Sequence, residues 1–166
     1  MKRDREPIAQ GVAVHYQPQR HLLKDRIILV TGASDGIGRE AALTYARYSA
    51  SVILLGRNED KLRTVAQEIE REGGIPPRWF TLDLLTCTPQ ACQQLAQQIS
   101  MHYPRLDGVL HNAGLLGDIC PMEEQKPEVW QQVMQVNVNG TFMLTQALLP
   151  LLLRSESGSL VFTSSS

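Results

Sequence analysis

Between residues 26 and 163, short runs of successive apolar residues alternate with longer segments whose apolar positions recur at helical spacing. Ile27–Val30 is apolar on every residue, as a strand buried on both faces requires. Gly36 to Tyr48 reads as a helix, Val52–Leu55 as a second strand, and Glu59 to Glu72 as a second helix with Leu62, Val65, Ala66 and Ile69 on one stripe. Gly73-Gly74 ends that helix and Pro76-Pro77 prevents its continuation. Trp79–Leu82 is the third strand. Thr88-Pro89 has the form of an N-cap followed by proline at the first helical position, and the helix it opens turns Cys92, Leu95, Ala96 and Ile99 inward. Val109–His111 lies in a fourth strand, a long helix runs from Lys126 to Leu153, and Ser159–Thr163 is a fifth strand. This alternation predicts an α/β domain over residues 26–166, with a parallel sheet and helices on both faces. Residues 1–25 keep no period and include Pro7, Gly11 and Pro18, so a partly disordered tail is expected there.

Composition narrows the function classes. At 43% hydrophobic and 20% charged, the 166 residues suit one soluble globular domain. A net charge of −1 offers no electrostatic attraction to nucleic acid or an anionic membrane. The stretch 129–153 is apolar, but Asn137, Asn139, Gly140 and Gln146 interrupt it and exclude a membrane span. The charged start, Met1-Lys2-Arg3-Asp4, is not a secretory signal. Cys87, Cys92 and Cys120 are odd in number and lack ligand spacing, so free thiols in a reducing cytoplasm and no metal site are expected.

The candidate chemistry begins where the first strand ends. Thr31-Gly32-Ala33-Ser34-Asp35-Gly36-Ile37-Gly38 is a glycine-rich turn that opens a helix. Gly32 lets the chain reverse, Gly36 lets backbone approach a pyrophosphate, and Gly38 lets the helix pack on the sheet. Free N–H groups at the helix start, Ile37 among them, then face the phosphates. By itself this spacing also suits a strand-to-helix turn without a ligand.

Four further motifs come in order: Asp83-Leu84 after the third strand, Asn112-Ala113-Gly114 after the fourth, Val136-Asn137-Val138-Asn139-Gly140 inside the long helix, and Gly158 to Ser165. With the glycine turn, they give the chain from Arg26 to Ser166 a resemblance to the short-chain dehydrogenase/reductase family. The resemblance implies a Rossmann-type, three-layer α/β/α fold with strand order 3-2-1-4-5. It implies hydride transfer between a nicotinamide cofactor and a small carbonyl or alcohol substrate. It places Asp83 and Leu84 near the adenine, has Asn112-Ala113-Gly114 tie strands beside the cofactor, and makes Asn137 and Ser165 catalytic. The matching Asn opens the helix ladder and holds a water in a proton relay, and the serine hydroxyl bonds the substrate oxygen. The long helix, 129–153, is expected to pair subunits into a homodimer or homotetramer. Taken alone, Asp83 could cap a turn and Asn112 could bond loop backbone.

The second strand ends at Gly56-Arg57-Asn58. An acidic residue there would favour NAD, whereas Arg57, with Ser34 as a further donor, favours the 2′-phosphate of NADP(H) over NAD(H). Asp35 opposes this, because an inward carboxylate repels a phosphate. The family's proton-transferring Tyr and the Lys four residues later would lie beyond the serine. Of Tyr16, Tyr45, Tyr48 and Tyr103, none has Lys at the fourth position following. The expectation is therefore a chain that lacks the Tyr/Lys part of the active site and the later strands. The rival reading is a non-catalytic, redox-sensing dinucleotide-binding module.

Overall fold

A computed structural model describes residues 18–164. Five parallel strands form one sheet: β1 Ile27–Thr31, β2 Ser51–Gly56, β3 Arg78–Thr81, β4 Gly108–His111 and β5 Ser159–Phe162. Their spatial order is β3-β2-β1-β4-β5, the order implied by the resemblance. The order reverses between β1 and β4, so a crevice opens beside the carboxyl end of β1.

The helices match the apolar pattern closely. α1 spans Gly36–Arg47, α2 spans Glu59–Arg71 and α3 spans Pro89–Ser100. Local chemistry sets their starts. Asn58 Oδ1 accepts from Lys61 N at 3.0 Å, and Thr88 Oγ1 accepts from Ala91 N at 3.2 Å. One core layer joins α1 and α2 to the sheet through Leu43, Leu54, Leu62 and Ile69. The other joins α3 and the last helix through Leu29, Ile53, Ile99, Leu144 and Leu148. Cys92 is packed in this second layer, where burial and then the neighbouring Cys87 push its thiol up to about 12.

The predicted long helix is one rod of three parts. α4 covers Pro127–Met134, a π segment covers Gln135–Gly140, and α5 covers Thr141–Leu152. Leu144, Leu148, Leu151 and Leu152 face the sheet, while Trp130, Val138, Phe142, Leu149 and Leu153 stay exposed. Sequence pattern missed a single 3₁₀ turn at Met122–Glu124, which comes directly after Pro121. No described helix is long and apolar enough to cross a membrane.

Residues 1–17, most of the predicted tail, lie outside the described residues. Within 18–25, Leu23 packs on the α1 and α2 side of the core, and its N–H donates to Tyr48 O at 3.0 Å.

At the amino ends of the strands one buried carboxylate gathers three of them. Asp107 Oδ2 accepts from Ile27 N at 2.9 Å, and Oδ1 accepts from Arg105 Nε at 2.8 Å and Ser155 Oγ at 2.6 Å. The Asp107 carbonyl accepts from Ser159 N at 3.0 Å. Burial pushes the carboxyl up, but the hydrogen bonds from Arg105, Ser155 and Ile27 outweigh it and hold it below the usual carboxylate range. Asp107→Ala would strand a buried N–H and an unpaired guanidinium. It should lower unfolding free energy by about 3 kcal/mol, read by urea denaturation at pH 7, whereas Arg105→Ala, on a partly exposed group, should cost about 1 kcal/mol.

Candidate functional site

The site is built where β1 ends. Gly32 and Gly36 have φ of 65° and 52°, a region that favours glycine. A Cβ on Gly38 would stand 2.3 Å from Gly32 O and 2.7 Å from Asn112 Nδ2, so the first turn of α1 can rest on the loop only without a side chain. Nothing lies within 4 Å of the corresponding point on Gly36. The loop is therefore packed tightly underneath and open above, which is the shape a ligand-binding backbone needs. The exposed start of α1 at Ile37 borders this opening.

Thr31 fixes the floor. Its buried hydroxyl accepts from Asn112 N at 3.0 Å and Ala113 N at 2.9 Å, which ties the end of β1 to the end of β4. Asn112 Oδ1 accepts from Thr163 Oγ1 at 3.2 Å, extending the tie past β5. Gly114 is next in the chain, and a Cβ there would meet Asn137 Oδ1 at 3.5 Å. Asn112 and Ala113 thus converge with Gly32, and Asn112 with Gly38, while Gly114 faces Asn137.

Asn137 sits in the π segment and reaches 22 positions back along the chain. Its Oδ1 accepts from Leu115 N at 2.8 Å, and its Nδ2 donates to Leu115 O at 3.0 Å. Both ends of the amide bond one residue's backbone, so it pins the loop after β4 to the helix. Gly140 closes the segment, because a Cβ there would stand 2.8 Å from Leu84 O. Gln135 Nε2 donates to the same carbonyl at 3.1 Å.

Asp83 Oδ1 accepts from Leu85 N at 3.0 Å, a local turn after β3, and the Leu84 side chain is buried in the core. Arg57 is exposed at the end of β2. Ser34 Oγ lies 3.5 Å from the point a Cβ on Gly56 would occupy. Asp35 caps α1, with Oδ1 accepting from Gly36 N at 2.9 Å, and its other oxygen takes Lys61 Nζ at 2.9 Å. Its hydrogen bond from Lys61, then that from Gly36, hold its carboxyl below the usual range. Ser165 lies outside the described residues.

Four contributors escaped the sequence reading: the Thr31 hydroxyl, Lys61, Leu115 and His111. His111 ends β4 directly beneath Asn112. It is 4% exposed, and its ring stacks on Phe162 at a centroid distance of 5.0 Å. Thr145 Oγ1 donates to Thr141 O at 2.7 Å, so at 3.0 Å the His111 Nε2–H donates to Thr145 Oγ1. Nδ1 is then a bare acceptor, buried and without a partner among the described residues. The visible signal was a histidine inside an otherwise apolar buried strand. Among the described residues no group of three or more His, Cys, Asp or Glu side chains could hold a metal ion.

Residues 26–166 match the family model for short chain dehydrogenases. The uncharacterized oxidoreductase YciK of Escherichia coli (strain K12) is 77% identical over 153 residues, which cover 92% of this chain and 61% of that protein. A crystal structure of a short chain dehydrogenase from Shigella flexneri superposes with a TM-score of 0.90 at 77% identity, covering 91% of this chain and 59% of that one. A short chain dehydrogenase from Escherichia coli CFT073, solved in complex with NADPH, gives a TM-score of 0.88 at 77% identity and covers 89% and 62%. The chain thus spans about three-fifths of the length of these relatives.

Burial pushes His111 down to about 4 from an ordinary value of 6.5. The unfolded chain therefore binds a proton that the folded chain refuses between pH 6.5 and 4, and stability falls as pH drops through that window. From pH 7.5 to pH 5 the loss from this group should be about 2 kcal/mol. Denaturation midpoints at the two pH values should converge by most of that amount in His111→Phe.

Proposed function

The chain belongs to the short-chain dehydrogenase family, and on that footing we propose that it carries the cofactor site and part of the catalytic centre of an NADP-dependent oxidoreductase. The enzyme interconverts a carbonyl and an alcohol. The observation that carries this reading is the glycine turn, locked from below by Gly38, Asn112 and Thr31 and open above Gly36. When bound, the nicotinamide supplies or accepts the hydride.

The residues divide the remaining work. Gly36 leaves room for the pyrophosphate, and the start of α1 beyond it offers backbone N–H groups. Arg57 and Ser34 pair with the 2′-phosphate. Asp83 and Leu84 border the adenine through the turn after β3, and Asn112, Ala113 and Gly114 form the wall opposite the glycine turn. Asn137 positions the loop after β4 and keeps the π segment in place for the relay that returns a proton. Ser165 holds the substrate oxygen. Support for NADP comes from Arg57 and from relatives 76% and 77% identical that were solved with NADP and NADPH. The exposed row of Trp130, Phe142, Leu149 and Leu153 supports assembly of the whole protein as a homo-oligomer through α4 and α5.

Titration of the chain with both cofactors tests the reading. NADPH should bind more tightly than NADH, and Arg57→Asp should weaken NADPH by about 1–3 kcal/mol, the range for a lost charged hydrogen bond. Equal affinities in the parent would overturn it. Gly36→Val should abolish NADPH binding in a folded chain, because a β-branched side chain would fill the open face at a φ it cannot adopt. Retained affinity would reduce the turn to a structural element. These 166 residues contain no Tyr with Lys four positions on. The chain by itself should bind NADPH without oxidising it in the presence of aldehydes or ketones, since positioned proton transfer contributes about 10²–10⁴-fold.

A further inference from the structure

The crevice between the glycine turn and the end of β2 holds more charge than Arg57. Lys61 stands in the first turn of α2, where the Asn58 cap takes its backbone N–H at 3.0 Å. Its ammonium crosses 26 positions to Asp35 Oδ2 at 2.9 Å. The two other carboxylates of that turn are engaged elsewhere: Arg63 takes Glu59 at 3.0 Å and Asp60 at 3.4 Å. Arg57 has no ion-pair partner among the described residues. Ser34 Oγ, 3.5 Å from the Cβ point of Gly56, brings the glycine turn against the end of β2.

From this placement we infer that Lys61 is a second specificity determinant for the phosphorylated dinucleotide, and that Asp35 holds it at the crevice. The inference rests on the NADP reading above and extends it. Charge decides the matter. With Lys61 present, Asp35, Lys61 and Arg57 sum to one positive charge, and a 2′-phosphate meets an attractive surface. Without Lys61, Asp35 cancels Arg57 and faces the phosphate uncompensated. A ribose that carries only hydroxyls senses little of this difference. The Asp35–Lys61 pair is solvent-exposed on both sides, with side chains 77% and 57% accessible, so the ammonium can be shared with an arriving phosphate at small cost. The carboxylate in the loop, which by itself counts against NADP, thereby becomes the tether for a cation.

Dissociation constants for NADPH and NADH are measured on the parent chain, Lys61→Met, Lys61→Arg and Asp35→Asn/Lys61→Met at low ionic strength, with thermal melts to confirm folding. Lys61→Met should weaken NADPH at least fivefold and change NADH less than twofold. Lys61→Arg should keep the parent's preference. The double variant should recover part of the NADPH loss, because the uncompensated carboxylate is gone, and the Lys61→Met effect should shrink as salt rises. A parent that prefers NADPH, with the ratio unchanged in Lys61→Met, overturns the role of Lys61 alone. A double variant as weak as Lys61→Met overturns the repulsion assigned to an uncompensated Asp35. A parent without preference overturns the NADP reading and this inference with it.

Discussion

Backbone pressed against backbone at the carboxyl end of β1 is the constraint on which the site depends. Gly32, Gly38 and the Asn112-Ala113 step share a space in which no Cβ fits without displacement. That contact brings α1 down onto the sheet, sets where its free N–H groups point, and leaves the space above Gly36 open. The Thr31 hydroxyl secures the arrangement by accepting two N–H groups that β4 would otherwise leave without partners. At the other end of the strands, Asp107 holds β1, β4 and β5 together with a buried charge. The sheet is thus fastened at both ends by different means: shape at the carboxyl ends of the strands, charge at the amino ends.

The elements were legible because their signals are local. Short apolar runs and helical stripes placed the five strands and the α-helical segments within a residue or two, though not the 3₁₀ turn at Met122–Glu124, and Thr88-Pro89 marked a helix start that the cap hydrogen bond bears out. The glycine turn was legible for the same reason. What stayed hidden are contacts between distant positions. Asp35 read as an obstacle to phosphate because its partner lies 26 residues away, on a helix whose own sequence shows only a charged first turn. Thr31 is an ordinary strand residue until β4 lies beside it. Asn137 was marked by its oddity inside an apolar helix, yet nothing in sequence identified Leu115 as the residue it grips. Charge and hydrogen-bonding capacity are written in the chain, and their pairing is decided by the fold.

The π segment joins the two themes. Asn137 and Asn139 are poor choices for the middle of a helix, and Gln135 adds a third amide to a rod that must also pack against a sheet. Their amides are used: Gln135 reaches Leu84 O, Asn137 takes Leu115, and Asn139 donates to Gln135 Oε1 at 3.3 Å. The polar cluster links the loop after β3, the loop after β4 and the rod itself. Both loops border the crevice, so a local departure from α geometry sets the relation between two of its walls.

The same segment has a consequence for how this lineage can change. A π turn winds one more residue into the rod than an α turn does, while the helices on either side keep their directions. Insertion or loss of one residue early in α5 would rotate the remainder of the helix by about 100° and carry Leu148, Leu151 and Leu152 away from the sheet. Inside Gln135–Gly140 a change in length can be taken up where it occurs. The π segment is therefore a place where an insertion or deletion can be absorbed before it reaches the core-facing leucines of α5. That place is also where the site is held, so descendants that alter its length would keep the fold and lose the Asn137–Leu115 grip.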